Sequence, residues 1–131
     1  MKTIRPIPIT QEAFAPYGRY YNLRELPMKV TEDFRCAITE EQIIDEPMNF
    51  GFTYCQPGNF ESVSMERHFY TEEPQFCGDG PMILTVANSD PDVAPQAEDV
   101  VAFLMQPGDV AVLHKAIWHD ANHAVDKETL Y

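Results

Sequence analysis

Apolar and polar residues follow two different patterns along the chain, with a change at Asn49. After that point apolar side chains recur at every second position or fill short runs between Gly and Pro, which is typical of strands joined by turns. Strands are predicted at 50–54, 63–69, 82–87, 100–105, 110–113 and 128–131, with turns at 56–59, 77–81 and 106–109. Five aromatic residues are predicted to pack in the core or on a sheet face, and they are Phe50, Phe52, Tyr54, Phe69 and Phe76.

The first part of the chain has two helix signals. The clearer one covers residues 11–15, because Thr10 can cap the first turn and Pro16 prevents continuation. The weaker one covers residues 39–44, with Thr39 as the candidate N-cap, and ends before Pro47. The chain is therefore predicted to be all-β, or mainly β, with one or two short N-terminal helices. Short strands with regular turns indicate an antiparallel sandwich or barrel.

Length and composition place all of this in one folded domain. The chain has 131 residues, of which 44% are hydrophobic and 23% are charged. A chain of this size can bury a core of its own, so we predict a single domain over 1–131.

Charge narrows the classes of partner. There are 9 Lys and Arg residues against 21 Asp and Glu residues, so the formal net charge is −12. A nucleic-acid interface needs clustered basic residues, and an anionic membrane surface attracts them, so both partners are disfavoured. No apolar run approaches the roughly 20 residues of a membrane-spanning helix. Three widely spaced cysteines, Cys36, Cys55 and Cys77, are typical of free thiols in a reducing compartment, and the predicted location is cytoplasmic.

Two groups of residues could carry chemistry. Glu66 and His68 are two positions apart on a predicted strand, so their side chains project from one face, as metal ligands or an acid and base pair must. The second group follows an apolar strand and contains His114, Lys115 and His119, with Trp118 as a candidate pocket wall. The fourth histidine, His123, is predicted to lie on the surface.

Both groups resemble the motifs of the cupin superfamily. The first motif, H-x-H followed by Glu and then Gly, corresponds here to Glu66-Arg67-His68, Glu73 and Gly80. The second motif is Gly-Asp, a short apolar strand and P-x-G-x-x-H, and it corresponds to residues 108–119. In that stretch His114 stands at the position of the Pro and Ala116 at the position of the Gly. The resemblance implies a single cupin-like domain, an antiparallel β-barrel or jelly roll.

Three finer features resemble the ureidoglycolate lyase family: Glu-Arg-His at 66–68, His-Lys-x-x-Trp-His at 114–119, and Q-E-A-F-x-x-Y-G at 11–18. This resemblance implies a lyase that cleaves ureidoglycolate, or a similar small hydroxy acid, to glyoxylate and urea. It also implies a small carboxylate substrate, and we expect a homodimer.

The resemblance suggests roles for the site residues. His68 and His119, with Glu66, would supply the acid and the base, while His114 and Trp118 would contact the substrate. Either Lys115 or Arg67 would attract the substrate carboxylate. Strand alternation places Arg67 on the face opposite His68, which favours Lys115.

The same residues could bind a metal ion instead of acting as an acid and a base. Glu66, His68, Glu73 and His119 form a set of two nitrogen and two oxygen ligands suited to Zn, Mn, Fe or Ni. Glu72, Glu73 and Gln75 compete for the one inward position that this set requires. Two other functions stay open, namely a metal-dependent cupin isomerase or dioxygenase, and a non-catalytic small-molecule-binding cupin.

Overall fold

The fold is known from a computed structural model that describes residues 1–58, 60–90 and 92–131. The predicted turn at 56–59 therefore ends at Asn59, which lies outside the described residues. Within the described ranges, no helix has both the length and the apolar character needed to cross a membrane.

Short strands dominate the structure. One α-helix, α1 (Gln11–Phe14), and one 3-10 turn (Leu23–Glu25) lie near the N-terminus. The strands are β1 (Ile7–Pro8), β2 (Gly18–Asn22), β3 (Lys29–Val30), β4 (Arg35–Cys36), β5 (Tyr54–Cys55), β6 (Glu73–Phe76), β7 (Met82–Ala87), β8 (Val100–Met105), β9 (Asp109–Leu113), β10 (Trp118–His119), β11 (His123–Ala124) and β12 (Thr129–Leu130). The prediction of an all-β, cupin-like fold is confirmed.

Two sheets share one core. In the first sheet β7 pairs antiparallel with β8 from Met82↔Met105 to Ala87↔Val100, β1 lies parallel to β8, and β10 and β11 pair with the other edge of β7. In the second sheet β9 lies between β2 and β6, antiparallel to both. Fully buried side chains from both sheets and α1 form a single cluster that includes Phe14, Leu84, Phe103 and Leu113. This core fixes the positions of the strand ends that carry the candidate site.

The turn before β9 is fixed by a buried carboxylate. Gly108 has a φ of +92°, a conformation that favours glycine, and it allows Asp109 to fold back over the turn. The Asp109 carboxylate accepts hydrogen bonds from the Tyr20 hydroxyl at 2.8 Å, from Arg24 Nη2 at 2.6 Å and from the Gln106 backbone N–H at 2.6 Å. The Gly-Asp pair of the second motif therefore ties β9 to β2 and to the 3-10 turn.

Several predicted elements are confirmed. Strands β7 and β8 have the predicted bounds, β9 begins one residue earlier than predicted, and β12 occupies the centre of the predicted 128–131 strand. Thr10 caps α1, where its side chain accepts a hydrogen bond from the Ala13 N–H.

Three predictions for residues 39–76 are wrong in whole or in part. Residues 39–44 form no helix, because acidic residues follow Thr39 without an apolar stripe to bury. The predicted strands at 50–54 and 63–69 are reduced to β5 and to a single bridge at Glu66. None of the five aromatic residues lies in the core, since all are exposed, with Phe50 at 93% and Phe52 at 70%. Tyr54 and Phe76 lie on β5 and β6, whereas Phe50, Phe52 and Phe69 lie on no strand.

Candidate active site

Backbone hydrogen bonds join the two motifs. The Glu66 N–H donates to the His119 carbonyl at 2.8 Å, and the His119 N–H donates to the Glu66 carbonyl at 2.9 Å. The Ala116 N–H donates to the His68 carbonyl at 2.7 Å. Residues 66–68 therefore run antiparallel to residues 116–119, although the two motifs are about fifty residues apart in the sequence.

This pairing sorts the side chains onto two sides. Glu66, His68 and His119 share one side, and each offers a ligand atom within 4.8 Å of those of the other two. Arg67 and Trp118 share the opposite side, where the guanidinium carbon lies 4.3 Å from the centre of the indole ring. The expectation that Arg67 faces away from His68 is therefore met. Glu66 and His68 are exposed, whereas His119 is buried at 3% exposure.

Glu73 completes the cluster. Its Oε2 atom lies 2.9 Å from His119 Nε2 and 3.1 Å from His68 Nε2. Strand β6 pairs Glu73 with Leu113 of β9, and this register directs the carboxylate toward the two imidazoles. Of the three competing residues, Glu73 is the one whose side chain contacts the two imidazoles.

A buried amide pair supports Glu73. Gln75 lies two residues further on the same face of β6, and its Nε2 atom donates to Glu73 Oε1. Asn122 Nδ2 in turn donates to Gln75 Oε1 at 2.7 Å. The sequence reasoning missed Asn122, and the only signal for it was a polar residue close to two histidines.

His119 and Glu73 form an ion pair. Burial alone lowers the pKa of His119, but the Glu73 carboxylate and the Ile117 carbonyl, 3.0 Å from Nδ1, outweigh burial and raise that pKa above its ordinary value. Burial alone raises the pKa of Glu73, but His119 and His68 outweigh it and lower that pKa. The arrangement thus favours an imidazolium whose Nδ1 is bound to the Ile117 carbonyl and whose Nε2 lies 2.9 Å from the Glu73 carboxylate.

Two other predicted site residues turn toward a second polar cluster. Glu72 lies on the opposite face of β6 from Glu73, and Arg19 donates to both of its carboxylate oxygens at 2.7 and 2.6 Å. His114 Nδ1 lies 3.3 Å from Glu72 Oε1. The Lys115 ammonium forms an ion pair with Glu46, whose other carboxylate oxygen accepts from the Glu72 N–H at 3.0 Å. The structure brings neither His114 nor Lys115 into contact with the two imidazoles.

A comparison with models of known protein families identifies the family of this chain. The model described as ureidoglycolate lyase matches residues 1–131, the whole chain. The chain belongs to the ureidoglycolate lyase family. No curated protein matches this member of the family closely enough to report.

The cluster of this ureidoglycolate lyase family member also has the donors of a metal site. His119 Nε2 and Glu73 Oε2 are buried, and neither has a well-aligned hydrogen-bond partner among the described residues despite their short separation. The Ile117 carbonyl orients His119 through Nδ1, which leaves Nε2 for a metal or a proton. Two imidazoles and carboxylates are ligands that Zn, Mn, Fe and Ni accept. The residues present therefore fit a divalent metal, which Glu66, His68 and His119 could hold through ligand atoms within 4.8 Å of one another.

The turn between the two histidines of the second motif retains a glycine-like backbone. Ala116 has a φ of +65°, at the position where the cupin motif has Gly. An L side chain in this conformation is strained by about 1 kcal/mol or more. We expect Ala116→Gly to raise the free energy of unfolding by about 0.5 kcal/mol, because strain relief exceeds the added unfolded-state entropy.

The same substitution at Ala15 is expected to change the free energy of unfolding in the opposite direction. Ala15 has an ordinary helical backbone, with φ −50° and ψ −35°. Ala15→Gly is expected to lower the free energy of unfolding by about 0.5–1 kcal/mol. Urea unfolding of both variants checks the pair, and equal losses in the two would contradict strain at Ala116.

The Arg19–Glu72 pair makes the free energy of unfolding depend on pH. Arg19 lowers the pKa of Glu72 from 4.5 to about 2. The stabilisation is therefore complete above pH 4.5 and disappears as the pH falls from 4.5 toward 2. We expect Glu72→Gln to lower the free energy of unfolding by about 1–2 kcal/mol at pH 7 and to have almost no effect at pH 2.

Urea unfolding at pH 7, 4 and 2 measures this dependence. The control is Glu72→Gln in an Arg19→Met background, where the substitution should have little effect at any pH. An equal loss at pH 7 and pH 2 would show that Glu72 acts through packing and not through its charge.

Proposed function

We propose that the chain cleaves ureidoglycolate to glyoxylate and urea at the cluster of Glu66, His68, Glu73 and His119. The observation that carries this assignment is the antiparallel pairing of residues 66–68 with 116–119, which places two imidazoles and a carboxylate on one side. Exposed Glu66 and His68 lie at the open end, and buried His119 and half-buried Glu73 form the floor. A small substrate can thus enter from the exposed end and meet groups that the core holds in place.

The reaction needs two proton transfers. A base removes the proton of the substrate hydroxyl, the carbon–oxygen double bond forms, and the carbon–nitrogen bond to urea breaks. An acid then protonates the departing urea nitrogen. Positioned acids and bases each accelerate such steps by roughly 10²–10⁴-fold.

The contacts suggest which residue performs each step. His119 is the acid in our proposal, because the neighbouring Glu73 carboxylate and the Ile117 carbonyl favour its protonated form. His68, exposed at the entrance, is the base that accepts the hydroxyl proton. Glu73, which contacts both imidazoles, holds the two rings, and the carboxylates of Glu66 and Glu73 compensate the positive charge as it moves between them.

The substrate carboxylate needs a cation. Lys115 precedes Ala116, whose N–H binds the His68 carbonyl, so the main chain of Lys115 lies beside the site. In our proposal the Lys115 ammonium exchanges its ion pair with Glu46 for the substrate, and His114 flanks the entry. The expectation that Trp118 contacts the substrate is wrong, because its indole ring lies beside Arg67 on the side opposite the imidazoles. Arg67 is a poorer candidate because its guanidinium stacks between Phe69 and Trp118 on the other side.

Lys115→Met tests the carboxylate anchor. Loss of a charge-assisted hydrogen bond is expected to raise KM for ureidoglycolate by about 10-fold and to change kcat much less. Steady-state kinetics give both constants. Glu46→Gln is the matched variant, because it frees the ammonium and is expected to lower KM or leave it unchanged. An unchanged KM in Lys115→Met would remove this residue from the site.

The reaction itself is tested by its products. Purified protein incubated with ureidoglycolate should release urea and glyoxylate in equal amounts, each measured with a separate assay. If both products fail to appear, with and without added divalent metal, the proposed reaction is wrong. The site would then bind a small molecule without converting it.

A metal-dependent reaction is the second candidate. The favouring observation is the mutual approach of Glu66, His68 and His119, together with the unaligned buried atoms of Glu73 and His119. A divalent metal held by these residues would polarise the substrate oxygen and favour its ionised form. Metal analysis of untagged protein, followed by turnover and O₂ uptake before and after chelation, distinguishes a lyase from a cupin isomerase or dioxygenase.

We also propose a cytoplasmic homodimer. Cys36, Cys55 and Cys77 are free thiols in the described part of the chain, which suits a reducing compartment. Exposed apolar side chains between residues 28 and 70 offer a surface that a second copy could cover.

A further inference from the structure

Two amide side chains are almost completely buried beside the proposed active site. Gln75 is 6% exposed and Asn122 is 4% exposed. Gln75 projects from the same face of β6 as Glu73, and its register partner on β9 is Ala111, which is fully buried in the core. Burying an amide in apolar surroundings is unfavourable unless its polar atoms form hydrogen bonds. The bonds of these two amides therefore indicate what they do.

The hydrogen bonds of the two amides run in one direction. Asn122 Nδ2 donates to Gln75 Oε1 at 2.7 Å, and Gln75 Nε2 donates to Glu73 Oε1. An ionised carboxylate only accepts, so Gln75 must turn its NH2 group toward Glu73 and its carbonyl toward Asn122. That buried carbonyl needs a donor, which Asn122 supplies. Asn122, Gln75 and Glu73 thus form an amide relay whose order of donors and acceptors is set by the charge of Glu73.

The relay occupies one oxygen of Glu73 and leaves the other for the imidazoles. Glu73 Oε2 lies 2.9 Å from His119 Nε2 and 3.1 Å from His68 Nε2. One oxygen atom can meet both rings only while the carboxylate plane keeps its present orientation. The last torsion of a glutamate side chain has broad minima, so a carboxylate without further contacts turns easily. The bond from Gln75 to Oε1 opposes that rotation.

We propose that Gln75, held by Asn122, is a positioning residue that fixes the Glu73 carboxylate between His68 and His119. Asn122 Oδ1 is buried without a partner among the described residues, so a leucine at this position would avoid an unpaired polar atom. Fold stability alone therefore does not explain the asparagine, whereas its donor role in the relay does. The kinetic effect of the relay rests on the proposed lyase reaction, but the positioning of Glu73 does not.

Gln75→Met removes the amide and keeps a side chain of similar length. We expect kcat for ureidoglycolate to fall about 10-fold, because a hydrogen bond to a charged group is lost, and KM to change less than about 2-fold. Asn122→Leu removes only the outer donor and should lower kcat about 3-fold. Thr129→Val is the matched control, since Thr129 is fully buried and its hydroxyl donates to the Lys127 carbonyl at 3.0 Å, outside the relay. An unchanged kcat in Gln75→Met would overturn the proposal.

Double variants separate positioning from a general loss of structure. In a Glu73→Gln background, Gln75→Met should lower kcat by less than about 2-fold more, since the carboxylate that Gln75 positions is gone. In a Gln75→Met background, Asn122→Leu should likewise have little further effect. Equal factors in the substituted and unsubstituted backgrounds would mean that the residues act independently and would overturn the relay. If Gln75→Met does not fold, Asn122→Leu with and without Glu73→Gln provides the same comparison.

Nitrogen-15 NMR of the histidine rings tests the positioning without turnover. At pH 7 with EDTA present, Gln75→Met should shift the Nε2 resonances of His68 and His119 and leave those of His114, which contacts Glu72, unchanged. Unchanged resonances of His68 and His119 would overturn the proposal, whether or not the protein is a lyase. Shifted resonances in a protein that releases no urea would support the positioning role and contradict only the proposed reaction.

Discussion

Substitution of His119 by glutamine is expected to lower kcat/KM for ureidoglycolate by about 10²–10⁴-fold, the contribution of a positioned acid. Glutamine is polar and of similar length, but it cannot transfer a proton. His119 is held from three directions, by backbone pairing with Glu66, by the Ile117 carbonyl and by Glu73, so no neighbouring side chain can take its position. Steady-state assay of urea release measures the loss.

His123→Gln is the matched control. His123 lies on β11, four residues after His119, and its Nε2 atom is 3.6 Å from Asp120 and outside the cluster. This variant should retain turnover within a factor of about two to three, and Tm measurements should show that both proteins are folded at the assay temperature. A comparable loss of activity in His123→Gln, or full activity in His119→Gln, would show that the acid has been assigned to the wrong histidine.

Substitution of Asp109 by alanine is expected to lower the free energy of unfolding by about 3 kcal/mol, the largest loss of stability among the changes considered. The carboxylate is 2% exposed and accepts from Tyr20, Arg24 and the Gln106 backbone. Its removal leaves those three donors without their acceptor at the start of β9, and breaking a buried charged contact is more costly than losing an exposed one. Urea unfolding measures the difference.

Asp99 provides a matched control in a similar but exposed turn. Asp99 Oδ2 accepts from the Gln96 N–H at 2.8 Å, and Asp109 Oδ2 accepts from the Gln106 N–H with the same spacing of three residues. Asp99→Ala should cost about 1 kcal/mol or less, since water can replace the lost acceptor. Similar losses at the two positions would contradict the importance of burial at Asp109.

The parts of the fold that the sequence could predict are the ones with one dominant signal. Strands β7, β8 and β9 are short apolar runs between turn residues, and burial on both faces leaves little ambiguity about them. The alternating stretches at 50–54 and 63–69 have the correct period for strands. A strand also needs a partner along its backbone, and alternation along one segment contains no information about that partner. The sequence did not predict strand β2, because residues 18–22 show little alternation of apolar and polar side chains. Backbone pairing with β9 stabilises this strand nevertheless.

The site was predictable where a motif fixed residue spacing. Glu66 and His68 had to share a face, and the resemblance linked them to His119 across the chain. Spacing alone could not choose between Glu72 and Glu73, because a shift of one residue exchanges the two faces of a strand. The register of β6 against β9 makes that choice. The contacts of Lys115 and His114 with Glu46 and Glu72 involve residues distant in sequence, so no local pattern indicated them.

The four residues of the cluster depend on the fold in two different ways. His119 and Glu73 belong to strands that pair with β7 and β9, whereas Glu66 and His68 lie in a segment attached mainly through its backbone bonds to residues 116–119. Mutations around residues 60–70 can therefore change the entrance and the substrate range while the folded core is kept. One half of the site is thus anchored in the sheets and the other half lies on a loop, so selection for a new hydroxy acid would act first on the loop that carries Glu66 and His68.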